Sequence, residues 1–325
     1  MGENTDIKPE NANAELKPEN TNEEIKPEGT NVDGPNVGNV TSPERAREDG
    51  GTSNKLKYPV LMVHGMGFRD NKLLCYWGRI PKAIQKEVGC DVYFGLQDSN
   101  GAAETNGEYL AERIDKLCAE HGIEKFNVIA HSKGGQDMRY AITSLQRSNR
   151  VASLTTINTP HNGSKTVDLL LKVPAWPVKV GCKVCDLWFM IIGDKKPDTY
   201  KCIKLFETKN AKAFNDANPD VPGIYYQSYG FTCKTFYGDI FMWFPNLFVR
   251  LIEGENDGLL TVDAVRWTNF RGHFHSTTNR GISHCDEVDM RRMRFTRKPP
   301  KNEFEISDIT DFYRNVVREL AEKGF

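Results

Sequence analysis

The chain has 325 residues, enough for one large domain and a tail. Lysine and arginine number 43 against 44 acidic residues, so the net charge is −1 and no broad basic surface is offered to nucleic acid. The one dense basic cluster, Arg291, Arg292, Arg294, Arg297 and Lys298, reads as a solvated face, and no apolar run is long and unbroken enough to span a membrane.

Residues 1–54 hold 12 acidic and 5 basic residues and no aromatic one, leaving +6 for the remainder. Ile7-Lys8-Pro9-Glu10, Leu16-Lys17-Pro18-Glu19 and Ile25-Lys26-Pro27-Glu28 repeat every nine residues. Such polar, proline-punctuated sequence buries too little apolar surface to order itself. It is expected to be a disordered tail on a domain spanning 55–325. Met1-Gly2-Glu3-Asn4 lacks the basic start and apolar stretch of a secretory leader. A secreted protein with its leader removed and a cytoplasmic protein both stay open.

Tyr58 to Val63 reads as a buried strand running into His64-Gly65-Met66-Gly67. The two glycines let the backbone turn and aim amide N–H groups at one point. Strand-like runs near Val92, Val128 and Leu154 follow, with helical patterns between them. Asn106 to Ala119 is one, with Leu110, Ile114 and Leu117 on one face. The alternation predicts a mostly parallel sheet flanked by helices.

Phe126 to Gly135 is the most telling segment. A strand ends in Ala130-His131-Ser132-Lys133-Gly134, followed by a helix. Small residues at 130 and 134 permit a sharp turn that holds Ser132 Oγ at its top, the pattern of a nucleophile elbow. An oxyanion hole would then combine the backbone N–H of Met66 with that of Lys133. The Lys133 ammonium either faces solvent or favours an anionic substrate.

Between residues 164 and 252 the alternation breaks. Leu169-Leu170-Leu171, Trp176, Leu187 to Ile192 and Phe241 to Phe244 make this stretch strongly apolar. It reads as a cap or lid over an acyl pocket, facing a lipid–water interface, or else as an ordinary packed subdomain. Next, Glu255-Asn256-Asp257-Gly258 places an aspartate before a glycine turn, and Ser283-His284-Cys285-Asp286 supplies a histidine. Serine, aspartate, histidine is the chain order of the α/β-hydrolase triad. Ser132 is therefore the expected nucleophile, His284 the base and Asp257 the acid, with Asp263 and Asp286 in reserve. His121, His161, His273 and His275 are weaker candidates. Arg314 to Lys323 reads as a closing helix.

These residues resemble the bacterial true lipases. Ala130-His131-Ser132-Lys133-Gly134 and Thr159-Pro160-His161-Asn162-Gly163 are similar to the staphylococcal and thermophilic bacillus type. His64-Gly65-Met66 and His284-Cys285-Asp286-Glu287-Val288 are closer to the pseudomonad type. The resemblance implies an α/β-hydrolase fold and carboxylic ester hydrolysis, of acylglycerols above all, with no organic cofactor. It also implies calcium near the histidine, with Asp286 at the matching position, although Met290 and Arg291 stand where further oxygen donors belong. The zinc site of the bacillus type is not expected, because no histidine lies between Gly95 and Glu120.

Cys75, Cys90 and Cys118 read as buried thiols. Among Cys182, Cys185, Cys202 and Cys233, a disulfide stays open, whereas a zinc ribbon would need a second Cys-x-x-Cys. A short-chain esterase, thioesterase or acyltransferase would use the same triad. A non-catalytic lipid-binding module is the reading from another class.

Overall fold

A computed structural model describes residues 55–70 and 75–325. The expected tail at 1–54 lies outside the described residues. Seven strands form one sheet: β1 (Val60–Val63), β2 (Val92–Phe94), β3 (Phe126–His131), β4 (Val151–Ile157), β5 (Tyr225–Phe231), β6 (Phe270–Ser276) and β7 (Glu305–Ile306). The order is β2-β1-β3-β4-β5-β6-β7, and every pairing is parallel. The helices are α1 (Ile80–Val88), α2 (Ala103–His121), α3 (Lys133–Thr143), α4 (Lys165–Leu170) and α5 (Ala175–Ile191). They continue with α6 (Thr199–Leu205), α7 (Thr208–Ala217), α8 (Trp243–Ile252), α9 (Val262–Val265) and α10 (Ile309–Glu322).

Successive strand residues point to opposite faces. Val60, Met62 and Ile129 pack with α1 and α10 on one face. Leu61, Val63, Val128 and Ala130 pack with α2 and α3 on the other. A parallel sheet covered on both sides needs apolar residues at every position. That is why β1 and β3 read as unbroken apolar runs. This is the α/β-hydrolase fold.

Two helices run beyond their apolar periodicity. α2 ends where Gly122 turns left-handed at φ 65° and its N–H closes on Cys118 O. α10 starts five residues before Arg314, because the Asp308 side chain accepts from Thr310 N and caps it.

The expected insertion at 164–252 is corrected. β5 runs through it as an interior strand of the sheet, so the segment is two pieces, α4 to α7 and the α8 region. Periodicity hid β5 because its polar residues are buried and paired: Gln227 Nε2 donates to Thr155 Oγ1 at 2.8 Å and Ser228 Oγ to Trp267 O at 3.0 Å. Among the described residues no helix is long and apolar enough to cross a membrane.

Leu61 is fully buried between β2 and β3. Leu61→Ala is expected to lower the unfolding free energy by about 2–5 kcal/mol in a denaturant titration. A change near zero would mean that this face of β1 is not close-packed.

Candidate active site

The parallel strands all end at one edge, and the loops there build the site. Ser132 follows β3 directly and opens α3 with φ 52° and ψ −132°. A positive φ is strained for a residue with a Cβ. The turn is pinned on both sides: Ser132 N donates to Ile157 O at 2.8 Å and Thr159 Oγ1 donates to Ser132 O at 2.8 Å. Gly134 must lack a side chain, since a Cβ there would lie 2.4 Å from His64 O. Thus the loop after β1 and the start of α3 touch backbone to backbone.

Ser132 Oγ lies 3.0 Å from His284 Nε2, and His284 Nδ1 lies 2.6 Å from Asp257 Oδ2. The structure thereby brings all three expected residues into one hydrogen-bonded row. Asp257 Oδ1 accepts from Leu259 N at 2.8 Å and Leu260 N at 2.7 Å, the tight turn that Gly258 permits. Burial pushes the Asp257 carboxyl up, but the His284 imidazole and these two amides outweigh it, and the net shift is downward.

Lys133 is the first residue of α3, so its N–H is one of those a helix leaves without an internal partner. Met66 lines the cavity over Ser132. The Lys133 ammonium does neither thing expected of it: it is buried, bonded to Asp137 at 2.6 and 2.7 Å.

A second layer of polar groups was not anticipated. Asn158 Nδ2 donates to Asp257 Oδ2 at 2.5 Å and to Glu287 Oε1 at 2.7 Å. Glu287 Oε2 is 2.8 Å from His131 Nε2, His131 Nδ1 is 2.7 Å from Tyr76 Oη, and Gly65 N donates to Tyr76 Oη at 3.0 Å. A buried chain of hydrogen bonds therefore runs from the acid to the loop after β1. Burial, then the neighbouring Asp257 charge, raise the Glu287 carboxyl well above its ordinary range. Burial holds His131 neutral. Glu287 lies inside the segment His284 to Val288 read as a motif, but a one-dimensional pattern gives no sign that it meets Tyr76 and Asn158.

Asp286 does not suit calcium. Its Oδ1 accepts from the Arg291 guanidinium, and its Oδ2 accepts from Ser283 N and faces Arg280 at 3.9 Å. A hard cation needs six to eight or so oxygen donors, and two guanidiniums beside the same carboxylate oppose one. The nearby carboxylate of Asp289 is bonded to Arg79. Asp263 sits in the first turn of α9. His161 is buried against Trp267, with ring centroids 4.4 Å apart. His273 and His275 lie on β6, and His121 ends α2. All eight cysteines are free thiols.

Above Ser132 and His284 opens a cavity of about 320 Å³. Its walls are apolar: Val167, Phe206, Met242, Phe248, Val249 and Leu260, drawn largely from the α4 to α7 segment and the α8 region. The volume is at the lower end of small-molecule sites.

Comparison with known proteins agrees with this geometry. The family described as palmitoyl protein thioesterase matches residues 59–215. Triacylglycerol lipase 2 of Saccharomyces cerevisiae is 28% identical over 266 residues, covering 77% of this chain and 74% of the yeast protein. A triacylglycerol lipase of Vibrio cholerae is 34% identical over 131 residues, 40% of each chain. The fold is shared with a mature lipase of Bacillus licheniformis, at TM-score 0.54 and 21% identity over 72% of this chain and 88% of that one. It is also shared with a metagenomic carboxyl esterase, at TM-score 0.60 and 13% identity over 86% and 79%. The chain has the α/β-hydrolase fold, is similar to bacterial-type lipases and esterases, and is a carboxylic ester hydrolase.

Proposed function

We propose that the chain is a lipase that cleaves long-chain acylglycerol esters through an acyl-Ser132 intermediate. The observation that carries this is the apolar cavity opening directly onto the Ser132–His284 pair. Ser132 Oγ attacks the ester carbonyl carbon as its proton passes to His284 Nε2. The amides of Met66 and Lys133 hold the resulting oxyanion. His284 then returns the proton to the departing alcohol, and the C–O bond breaks. Water, deprotonated by His284, releases the fatty acid and restores Ser132. Asp257 keeps the imidazole in the tautomer that accepts from serine.

Glu287 and Asp257 divide their roles by environment. Burial and the Asp257 charge favour the protonated form of Glu287, so Asp257 presents the negative charge to His284. Phe248 both lines the cavity and is half exposed beside Phe244 and Leu251 on α8, which supports entry of the ester from a lipid–water interface. The thioesterase family match favours one alternative, a long-chain acyl thioester on the same residues.

Hydrolysis of p-nitrophenyl esters from acetate to palmitate should favour long chains and vanish in Ser132→Ala. Activity confined to acetate and butyrate would reduce the proposal to a short-chain esterase. A faster reaction with a palmitoyl thioester than with the oxygen ester would favour the thioesterase.

Asp257→Asn should lower kcat by about 10⁴-fold, whereas Glu287→Gln, which keeps a neutral donor and acceptor, should stay within about tenfold of the native enzyme. Equal losses would mean that both carboxylates act as anions.

The depressed Asp257 pKa also fixes the sign of an acid effect. Its ionised form stabilises the fold above the ordinary carboxylate value of 3.8, and this is lost as pH falls through the lower folded pKa. The stability gap between native protein and Asp257→Asn, from urea melts, should therefore narrow below that pH. A gap independent of pH would contradict the assignment.

A further inference from the structure

Helix α5 takes no part in the proposed chemistry. None of its residues lines the acyl cavity, and only Cys182 and Asp186 on it are buried. Trp176, Val180, Val184, Leu187, Trp188 and Ile191 are all exposed and recur at three- and four-residue spacing, so they share one face. Trp176 and Ile191, near the two ends, are each 71% exposed. An apolar stripe this long marks a docking surface. The helix is fastened from behind, where Asp186 Oδ1 accepts from Thr199 N at 2.8 Å at the start of α6.

The charges around the stripe select the partner. From residue 172 to 196, every exposed charged side chain is a lysine: Lys172, Lys179, Lys183, Lys195 and Lys196. The acids of this segment are turned inward. Asp186 is bonded as above, and its other oxygen accepts from Lys183 Nζ at 3.1 Å, so Lys183 is paired within the segment. Asp194 is buried and accepts from Arg69 Nη1 at 2.8 Å, Ser99 N at 3.0 Å and Asn100 N at 2.8 Å. Asp98 Oδ2 accepts the amides of Lys195 and Lys196 at 2.9 and 2.6 Å, which fixes the backbone of that pair and leaves both ammonium groups outside.

We propose that α5 is an interfacial anchor that lays the enzyme on an anionic lipid surface. The stripe enters the acyl boundary, and the lysines sit among negative headgroups. A second copy docked through the same face would set lysines against lysines. A neutral oil surface would match the stripe and leave the lysine rim without a counterpart. No described helix is long and apolar enough to cross a membrane, so α5 lies on the surface. The inference rests on the lipase reading, because an anchor serves an enzyme whose ester is in the lipid phase.

Flotation of the full chain carrying Ser132→Ala, which leaves the lipid intact, tests it. The vesicles are phosphatidylcholine alone or phosphatidylcholine mixed with phosphatidylglycerol. Strong binding is expected only to the mixed vesicles, and it should fall with added salt. Lys179→Glu with Lys196→Glu should weaken it by about tenfold or more. Trp176→Ser with Ile191→Ser should remove it. Both pairs, placed in the chain that retains Ser132, should leave hydrolysis of soluble p-nitrophenyl butyrate unchanged. Equal binding to both vesicles at every salt concentration would overturn the proposal in favour of a plain apolar interface. No vesicle binding, with concentration-dependent dimers, would overturn it in favour of self-association. Failure of the lipase reading would appear separately, as loss of ester hydrolysis in the native chain, since the binding assay needs no turnover.

Discussion

Ser132 holds a backbone conformation that costs about 1–3 kcal/mol for a residue with a side chain, and the surrounding fold is arranged to hold it there. β3 delivers the chain to the turn and α3 carries it away. Ile157 and Thr159 of the next strand and loop grip the serine's amide and carbonyl. Gly134 lets the loop after β1 come to contact distance. Relaxing the turn would break these bonds together, so the strain persists. The same loop after β1 places Met66 on the wall of the cavity over Ser132.

The charge pattern around the serine follows from burial. Two carboxylates, Asp257 and Glu287, share Asn158 as a donor in a dry interior. Both cannot ionise cheaply at that separation. Asp257 receives two further amides and the imidazole, whereas Glu287 faces a histidine that burial keeps neutral. Burial and the Asp257 charge therefore favour the protonated form of Glu287. The chain through His131 and Tyr76 reaches Gly65, next to Met66, so the acid side of the site and the loop after β1 are parts of one rigid network.

Much of this was legible in the sequence because it is local. A buried parallel strand must be apolar throughout, so β1 and β3 announced themselves. The elbow, the Asp257 turn and the His284 loop each need small or special residues within a few positions. What stayed hidden depends on distant contacts. β5 carries glutamine, serine and tyrosine into the interior and pairs them with β4 and the loop before β6, so periodicity passed it over. Lys133 sits next to the nucleophile in sequence, yet its stem runs inward to Asp137, one helical turn on. Asp286 matched a calcium-ligand position in spacing, and only the structure places two arginines beside it. The five lysines around α5 are scattered among other residues, and their isolation as the exposed charges appears only once the acids are seen to turn inward.

The central claim is that Ser132 is an activated nucleophile at the floor of an acyl cavity. A fluorophosphonate probe reports this directly, since it bonds covalently only to a serine whose hydroxyl proton a base can take. Intact mass followed by peptide mapping should show one adduct per chain, on Ser132, absent after His284→Ala. A folded native chain that takes no label, or takes it on another residue, would contradict the account.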